Sequence, residues 1–227
     1  MRKYGLVFVA LLVCLVLSGC SEHEGTKITL PYTLDLSKVS EGSIPREMQV
    51  FADEWQVVDN ALEANFPPRA GDGLGAFIYF KGLEVADFDL SVTITFMEVD
   101  SDSRFAGILF RSNANSNLPR HKLVIRQGAA SRSDGIGLRF RSSFDEPEWI
   151  ERDRAFYDLE LGRPYDVRVV VCGDQVKLFI DGIRVKTFNT DKWHSETGSI
   201  GFMAFGGRVR FSNIHIAPIT PEEFNKL

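Results

Sequence analysis

The chain has 227 residues, of which 44% are hydrophobic and 18 are phenylalanine, and its formal net charge is −5. This length and apolar content predict one domain with a substantial core and leave little room for a second domain. The acidic balance argues against nucleic acid as a partner, because a phosphate backbone would be repelled.

The first twenty residues have the pattern of a secretory signal. A basic start is followed by twelve consecutive apolar residues at 6–17, too few for a membrane-spanning helix of roughly 20 residues. The motif LSGC, which ends at Cys20, resembles the lipobox of bacterial lipoproteins. This resemblance implies lipidation of Cys20 and attachment to a membrane of the bacterial cell envelope through acyl chains. We therefore expect a signal peptide at 1–19 and a lipid-attached tether at 20–27.

The chain beyond the tether is patterned as short strands. Apolar and polar residues alternate over 88–96, which is typical of an antiparallel strand with one buried face. Between 165 and 216, alternating runs are separated by Gly-Asp and Asp-Gly pairs, which accept the positive φ angles of two-residue hairpin turns. These patterns predict an all-β fold, a two-sheet antiparallel jelly-roll sandwich at 28–218, followed by a C-terminal tail at 219–227.

Charge is distributed unevenly along this predicted domain. The segment 104–141 contains eight basic residues and a single acidic residue, Asp134. Strand alternation places five of the basic side chains opposite their apolar neighbours, so that three successive strands would share one basic face. In adjacent strands, these side chains would lie within a few spacings of roughly 5 Å. This predicted basic face consists of Arg111, Lys122, Arg126, Arg139 and Arg141.

Two interpretations of the basic face remain open. Guanidinium groups match pairs of carboxylate, sulfate or phosphate oxygens, so the face would suit an anionic glycan. Alternatively, acidic residues of other strands neutralise the cations in an ordinary solvated ladder, with Asp87, Asp89, Glu148, Glu151 and Asp153 as candidates. Unpaired cations that converge in a groove would favour the first interpretation, and an acidic partner for each cation would favour the second.

Two tryptophans lie in polar surroundings where a large ring has no evident core partner. Trp149 ends the loop-like run FDEPEW, and Trp193 lies in the run TDKWHS. Because sugars are usually held by ring stacking together with forked polar contacts, each ring is a candidate platform for a sugar. The alternative is that each ring closes an edge of the sandwich, whereas Trp55 is expected in the core.

Several phrases along the chain occur in a recognisable order. They include FAGILFRS at 105–112, VKLFIDGIRV at 176–185, GSIGF at 198–202 and FSNI at 211–214. In this order they resemble the concanavalin A-like, or laminin G-like, jelly roll, and in particular bacterial domains of the 3-keto-disaccharide hydrolase-like group. The resemblance implies a curved sandwich whose concave face often holds a glycan, with calcium frequent among relatives.

Evidence for catalysis is weak. A glycoside hydrolase on this fold needs two carboxylates about 5 to 9 Å apart, and the Glu-x-Asp-x-Glu motif of related glucanases is absent. The neighbours His194 and Ser195 do not face each other as a nucleophile and its base must. We therefore expect no catalytic residue.

Metal ligands are equally sparse. The four histidines are scattered, so no spacing suggests zinc, and we expect no metal site and no cofactor. Calcium is the one cofactor left open, with Asp72 and the DSDS run at 100–103 as oxygen donors.

These patterns favour an envelope-anchored lipoprotein with a lectin-like domain that binds carbohydrate without catalysis. The expected partners are a carbohydrate, with an anionic glycan as one option, and the membrane through the lipid at Cys20. The expected ligand-binding residues are the basic face, Trp149 and Trp193. Two alternatives remain: a glycoside-acting hydrolase of the 3-keto-disaccharide hydrolase-like group, and a protein-binding or structural lipoprotein.

Overall fold

The computed structural model describes residues 27–51, 55–66, 75–99, 105–127, 135–143 and 145–227. Within these ranges, fifteen strands form two antiparallel sheets, which confirms the predicted all-β jelly-roll sandwich. No helix of this described part is long and apolar enough to cross a membrane. The strands are β1 Tyr32–Thr33, β2 Met48–Val50, β3 Trp55–Val58, β4 Ala61–Phe66, β5 Ala76–Phe80, β6 Phe88–Val99, β7 Phe105–Ser112, β8 Arg120–Arg126, β9 Gly137–Arg141, β10 Trp149–Ile150, β11 Pro164–Cys172, β12 Gln175–Ile180, β13 Ile183–Asn189, β14 Ser199–Phe205 and β15 Gly207–Ala217.

The two sheets draw strands from distant parts of the chain. Sheet 1 has the order β13-β12-β11-β6-β15-β4-β3, and β1 also pairs with β15. Sheet 2 has the order β10-β9-β8-β7-β14-β5-β2. The hairpin meander predicted at 165–216 is therefore only partly right, because β11, β12 and β13 are consecutive in sheet 1 whereas β14 crosses to sheet 2 before β15 returns.

The main core lies between the sheets and follows from strand alternation. In β6 every second residue from 88 to 96 is apolar, and each of these five side chains is at most 2% exposed. The same period buries one face of β11 and β12, whose turn is closed by Gly173 at a φ of 55°. Trp55 is 4% exposed, as expected for a core residue.

The C-terminal segment is a docked element rather than a free tail. Helix α1, Pro221–Lys226, begins with a capping box between Thr220 and Glu223. Its buried Phe224 packs against Val170 and Phe179 on the outer face of sheet 1. In addition, Lys177 Nζ donates a hydrogen bond of 2.7 Å to the carbonyl oxygen of Phe224. The outer face of sheet 1 is thus partly covered by the end of the chain.

Candidate functional site

The outer face of sheet 2 carries a second apolar cluster, separate from the main core. Its side chains come from β5, β7, β8 and β14, and none is more than 7% exposed. Ala114 and Phe51 pack against it from the neighbouring loops. This cluster makes the centre of the outer face apolar, and we call it the apolar centre. It consists of Phe77, Tyr79, Phe105, Leu109, Val124 and Met203.

Cationic side chains of β8 and β9 lie beside this apolar centre. Strands β7, β8 and β9 are neighbours in sheet 2, as the sequence predicted. The register places Lys122 opposite Arg139, and Arg120 opposite Arg141. Lys122 is also opposite Leu109 of the apolar centre, which identifies the face. We call the cations of this face the basic cluster: Arg120, Lys122, Arg126, Arg139 and Arg141.

Glu148 supplies a carboxylate to the basic cluster. Its Oε1 lies 2.6 Å from Lys122 Nζ, and its Oε2 lies 3.2 Å from Arg139 Nη1. Burial of Lys122, which is 4% exposed, lowers the pKa of its ammonium group to about 8, although Glu148 opposes this shift. Burial disfavours the charged form of Glu148 as well, but Lys122 and Arg139 hold its pKa below the usual value. Glu148 is therefore the shared acidic partner of Lys122 and Arg139.

Two further cations of the cluster contact backbone oxygens. Arg126 Nη1 donates a hydrogen bond of 2.6 Å to the carbonyl of Gly135. Arg141 Nε donates one of 3.0 Å to the carbonyl of Ser143. These bonds hold both guanidinium groups close to the sheet surface.

Arg120 is the member of the basic cluster that the sequence analysis did not place on the face. Its side chain is 2% exposed, and its guanidinium carbon lies 4.5 Å from the centroid of the Phe77 ring. Its Nε and Nη1 atoms are buried and have no hydrogen-bond partner in the described part of the chain. Burial lowers the pKa of Arg120, and the like charge of Arg141, its register partner in β9, lowers it further. Extending the strand alternation from Lys122 two residues towards the N-terminus would have placed Arg120 on the same face.

Arg111 lies elsewhere, so its assignment to the basic face is wrong. Its backbone has a φ of 44°, which takes the side chain out of the strand alternation. The Nη2 atom lies 3.1 Å from Asp87 Oδ1, and Nε donates a hydrogen bond to the carbonyl of Ala86. Its guanidinium carbon lies 4.6 Å from the Trp193 ring centroid, at the end of the sandwich.

Both candidate platform rings pack against the main core and not on the basic face. The Trp149 ring is stacked on Phe140, with centroids 4.8 Å apart. Trp193 meets Phe110 and His121 edge to face, and its Nε1 donates a hydrogen bond of 3.0 Å to Asp174 Oδ1. The placement agrees with the alternative interpretation, in which each ring closes an edge of the sandwich.

A groove of about 1020 Å³ lies at one end of sheet 2, where β5 and β7 end and β8 and β14 begin. Gln49, which is opposite Tyr79 in the register, brings the groove onto the outer face of the sheet. The Tyr79 hydroxyl donates a 2.5 Å hydrogen bond to Asn117 Oδ1, and the Tyr79 ring also neighbours Arg120. The polar side chains that line the groove include Gln49, Ser112, Asn113, Asn115, Ser195 and Thr197.

Three acidic side chains near the ends of the strands have structural partners. Asp87 binds Arg111, Asp89 binds Arg168, and Glu84 accepts a hydrogen bond from Thr197. The described ranges contain no group of three or more His, Cys, Asp or Glu residues that could hold a metal ion. The proposed calcium donors Asp72 and 100–103 lie outside those ranges, as does Cys20.

Solved structures resemble this fold at low sequence identity. The carbohydrate-binding module CBM66 from Bacillus subtilis matches with a TM-score of 0.61 and 12% identity, over 75% of this chain and 95% of the module. The Emp47p carbohydrate recognition domain matches with a TM-score of 0.58 and 14% identity, over 87% and 99%. A putative glycosyl hydrolase from Parabacteroides distasonis matches with a TM-score of 0.52 and 14% identity, over 77% and 89%. These similarities establish the shared fold.

No curated protein matches the chain. Residues 41–217, more than three quarters of its length, match the family described as the 3-keto-alpha-glucoside-1,2-lyase-like domain. This match agrees with the resemblance drawn from the strand and turn phrases. The chain therefore belongs to the family of 3-keto-alpha-glucoside-1,2-lyase-like domains.

Proposed function

We propose that the protein binds carbohydrate without changing it chemically, in the groove and on the adjoining outer face of sheet 2. The observation that carries the proposal is the lining of the groove, which is rich in amide and hydroxyl side chains. These groups both donate and accept hydrogen bonds, as sugar hydroxyls do. A concave site with several such groups is the usual form of a small-ligand site.

The comparisons support the same class of ligand. Two of the structural relatives are described as a carbohydrate-binding module and a carbohydrate recognition domain. The family description also names a glucoside. A sugar is therefore the ligand class most consistent with both the groove and the relatives.

Alanine substitution of Gln49 or Asn115 tests the groove. Neither side chain has a hydrogen-bond partner in the described part of the chain, so each is available to a ligand. For a glycan first identified on an array, we expect each variant to bind roughly 3- to 10-fold more weakly by calorimetry, the equivalent of one net hydrogen bond.

Matched controls come from the other sheet. Gln56 and Asn65 are exposed on β3 and β4, so Gln56→Ala and Asn65→Ala should leave affinity within about twofold of the wild type, as is usual for neutral surface changes. Groove variants that bind as tightly as the wild type would remove the groove from the site. A wild-type protein that binds a protein partner and no glycan would favour the protein-interaction alternative.

The family description favours a second candidate, an enzyme acting on a 3-keto-glucoside. A 1,2-lyase removes a proton at C2 and expels the group at C1, which requires a base beside the sugar. Incubation of the wild-type protein with a 3-keto-glucoside, followed by chromatography of the products, separates the two candidates. Release of the aglycone that depends on the protein would replace the non-catalytic proposal.

The proposal includes a lipid anchor at Cys20 in the bacterial envelope. Expression of the full chain in a bacterium should place the wild type in the membrane fraction and label it with palmitate. Cys20→Ala should abolish the label and move the protein out of that fraction, because the acyl chains supply the membrane affinity.

The half-buried Cys172 provides the control for palmitate labelling at a cysteine other than Cys20. Cys172→Ala should keep both the label and the membrane association. A Cys20→Ala protein that still carries the label would contradict the assignment of the anchor.

A further inference from the structure

Arg120 is in an unusual state for a guanidinium group. It is 2% exposed, and its Nε and Nη1 atoms have no hydrogen-bond partner among the described residues. Buried polar groups in native proteins are nearly always paired, and an unpaired buried charge is costly. The pairing of β8 with β9 uses only the backbone of Arg120 and does not depend on its charge.

No described carboxylate forms a hydrogen bond with Arg120. The charge of Glu148 raises the pKa of Arg120, but its oxygens are engaged by Lys122 and Arg139, at 2.6 and 3.2 Å. Tyr79 is a neighbour, but burial raises the pKa of its phenol, so the group carries no negative charge. Its hydroxyl donates a hydrogen bond to Asn117. Directly opposite in the register is Arg141, a like charge that makes the position less favourable.

Arg120 also contacts an aromatic ring of the apolar centre. Its guanidinium carbon lies over the Phe77 ring, 4.5 Å from the ring centroid. Guanidinium N–H bonds point outwards in the plane of the group. An oxyanion that approaches in this plane can accept the free N–H bonds.

We propose that Arg120 is the centre of an oxyanion subsite, which takes the carboxylate or sulfate group of an anionic sugar. This inference rests on the proposed carbohydrate binding and narrows its ligand class. The anion neutralises Arg120 and relieves its repulsion from Arg141, whose side chain is partly exposed at the end of β9. The sugar ring then lies towards the groove, across the Tyr79–Asn117 contact.

The first experiment uses simple anions as probes. Thermal melts of the wild type and Arg120→Met are compared in sodium chloride, sulfate and acetate at constant ionic strength. Sulfate or acetate should raise the Tm of the wild type more than that of the variant. In chloride alone, Arg120→Met should melt about 2–4 °C higher than the wild type, because an uncompensated buried charge has been removed.

A matched arginine of sheet 1 is the control. Arg168 forms an ion pair with Asp89 on the outer face of sheet 1. Arg168→Met should melt lower than the wild type and should keep the full response to sulfate and acetate. A drop in Tm for Arg120→Met, with an unchanged anion response, would show that Arg120 has a structural role and would overturn the proposal.

The second experiment uses sugars. Calorimetric titrations compare glucose with glucuronate and glucose 6-sulfate. The anionic sugars should bind the wild type about 10- to 100-fold more tightly than glucose, the range expected for a charge-assisted hydrogen bond, and Arg120→Met should lose this preference. Preference for glucuronate identifies a carboxylate ligand, and preference for the sulfate ester identifies a sulfated one.

The outcomes separate this inference from the proposed function. Equal affinity of the wild type for glucose and the anionic sugars would overturn the subsite and leave carbohydrate binding intact. Absence of binding to any sugar, together with an anion response that depends on Arg120, would overturn carbohydrate binding and leave the subsite intact.

Discussion

Glu148→Gln is expected to lower the free energy of unfolding by about 3 kcal/mol at pH 7, the loss typical when one partner of a buried ion pair is removed. The substitution keeps the size of the side chain but leaves Lys122, 4% exposed, without its carboxylate at 2.6 Å. Arg139 loses its contact with the same group. Both cations would remain beside Arg120 with less compensation.

The loss should depend on pH in a defined direction. Lys122 and Arg139 lower the pKa of Glu148 in the folded state, so its contribution is present above the ordinary value of 4.5 and disappears as pH falls through the folded pKa. At the other end, Lys122 begins to lose its proton near pH 8, after which the carboxylate has less charge to pair with. The difference between wild type and variant should therefore be greatest between about pH 5 and 8.

Urea unfolding from pH 3 to 9 measures this profile. Glu160→Gln is the control, because the Glu160 side chain is exposed and has no partner in the described ranges. Its unfolding free energy should follow that of the wild type within about 0.5 kcal/mol. If the unfolding free energy of Glu148→Gln also stays within about 0.5 kcal/mol of the wild type at every pH, the ion pair has no net stabilising effect.

Gly201→Ala is expected to be the more damaging change, with a loss of about 4 kcal/mol or failure to fold. Gly201 lies in β14, between β5 and β7. A Cβ atom there would lie 2.2 Å from the carbonyl oxygen of Ile78 and 2.7 Å from the Tyr79 ring. The backbone oxygen cannot move without disturbing the β5–β14 pairing, so the clash cannot be relieved locally.

Gly107→Ala gives the comparison on the same face. Its Cβ would lie 3.1 Å from Met203 Cβ and 3.7 Å from Met203 Cγ and Sδ, so a small shift of Met203 relieves the contact. We expect a loss of about 1 kcal/mol in urea unfolding. Equal losses for the two variants would mean that the close approach at Gly201 is unimportant.

The fold was largely predictable because its signals are local. Alternation over 88–96 identifies the buried face of β6, and the Asp181-Gly182 pair closes the β12–β13 turn with φ angles of 50° and 76°. Such patterns depend on neighbours a few residues apart. The crossing of β14 to sheet 2 was missed because sheet membership depends on partners that no local pattern specifies.

The candidate site was only partly predictable, for related reasons. Alternation placed Lys122 and Arg139 correctly, since both lie within regular strands. It failed at Arg111, where a positive φ interrupts the strand. The groove was not foreseen, because its lining comes from loops that are far apart in the chain, such as those at Asn113 and Thr197. Trp193 was misleading, because its polar sequence neighbours conceal its contact with the core.

The pairing of β1 with β15 and the docking of α1 extend the folding unit beyond the matched span at both ends. Tyr32 pairs with Ile216, and the buried Leu34 and Leu36 follow it, yet all three precede the matched span 41–217. Phe224, 2% exposed, lies beyond its other end. A fragment cut to the matched span would therefore lose part of its core at one end and uncover Val170 at the other. The unit to express, exchange or compare among relatives therefore includes at least residues 28–224.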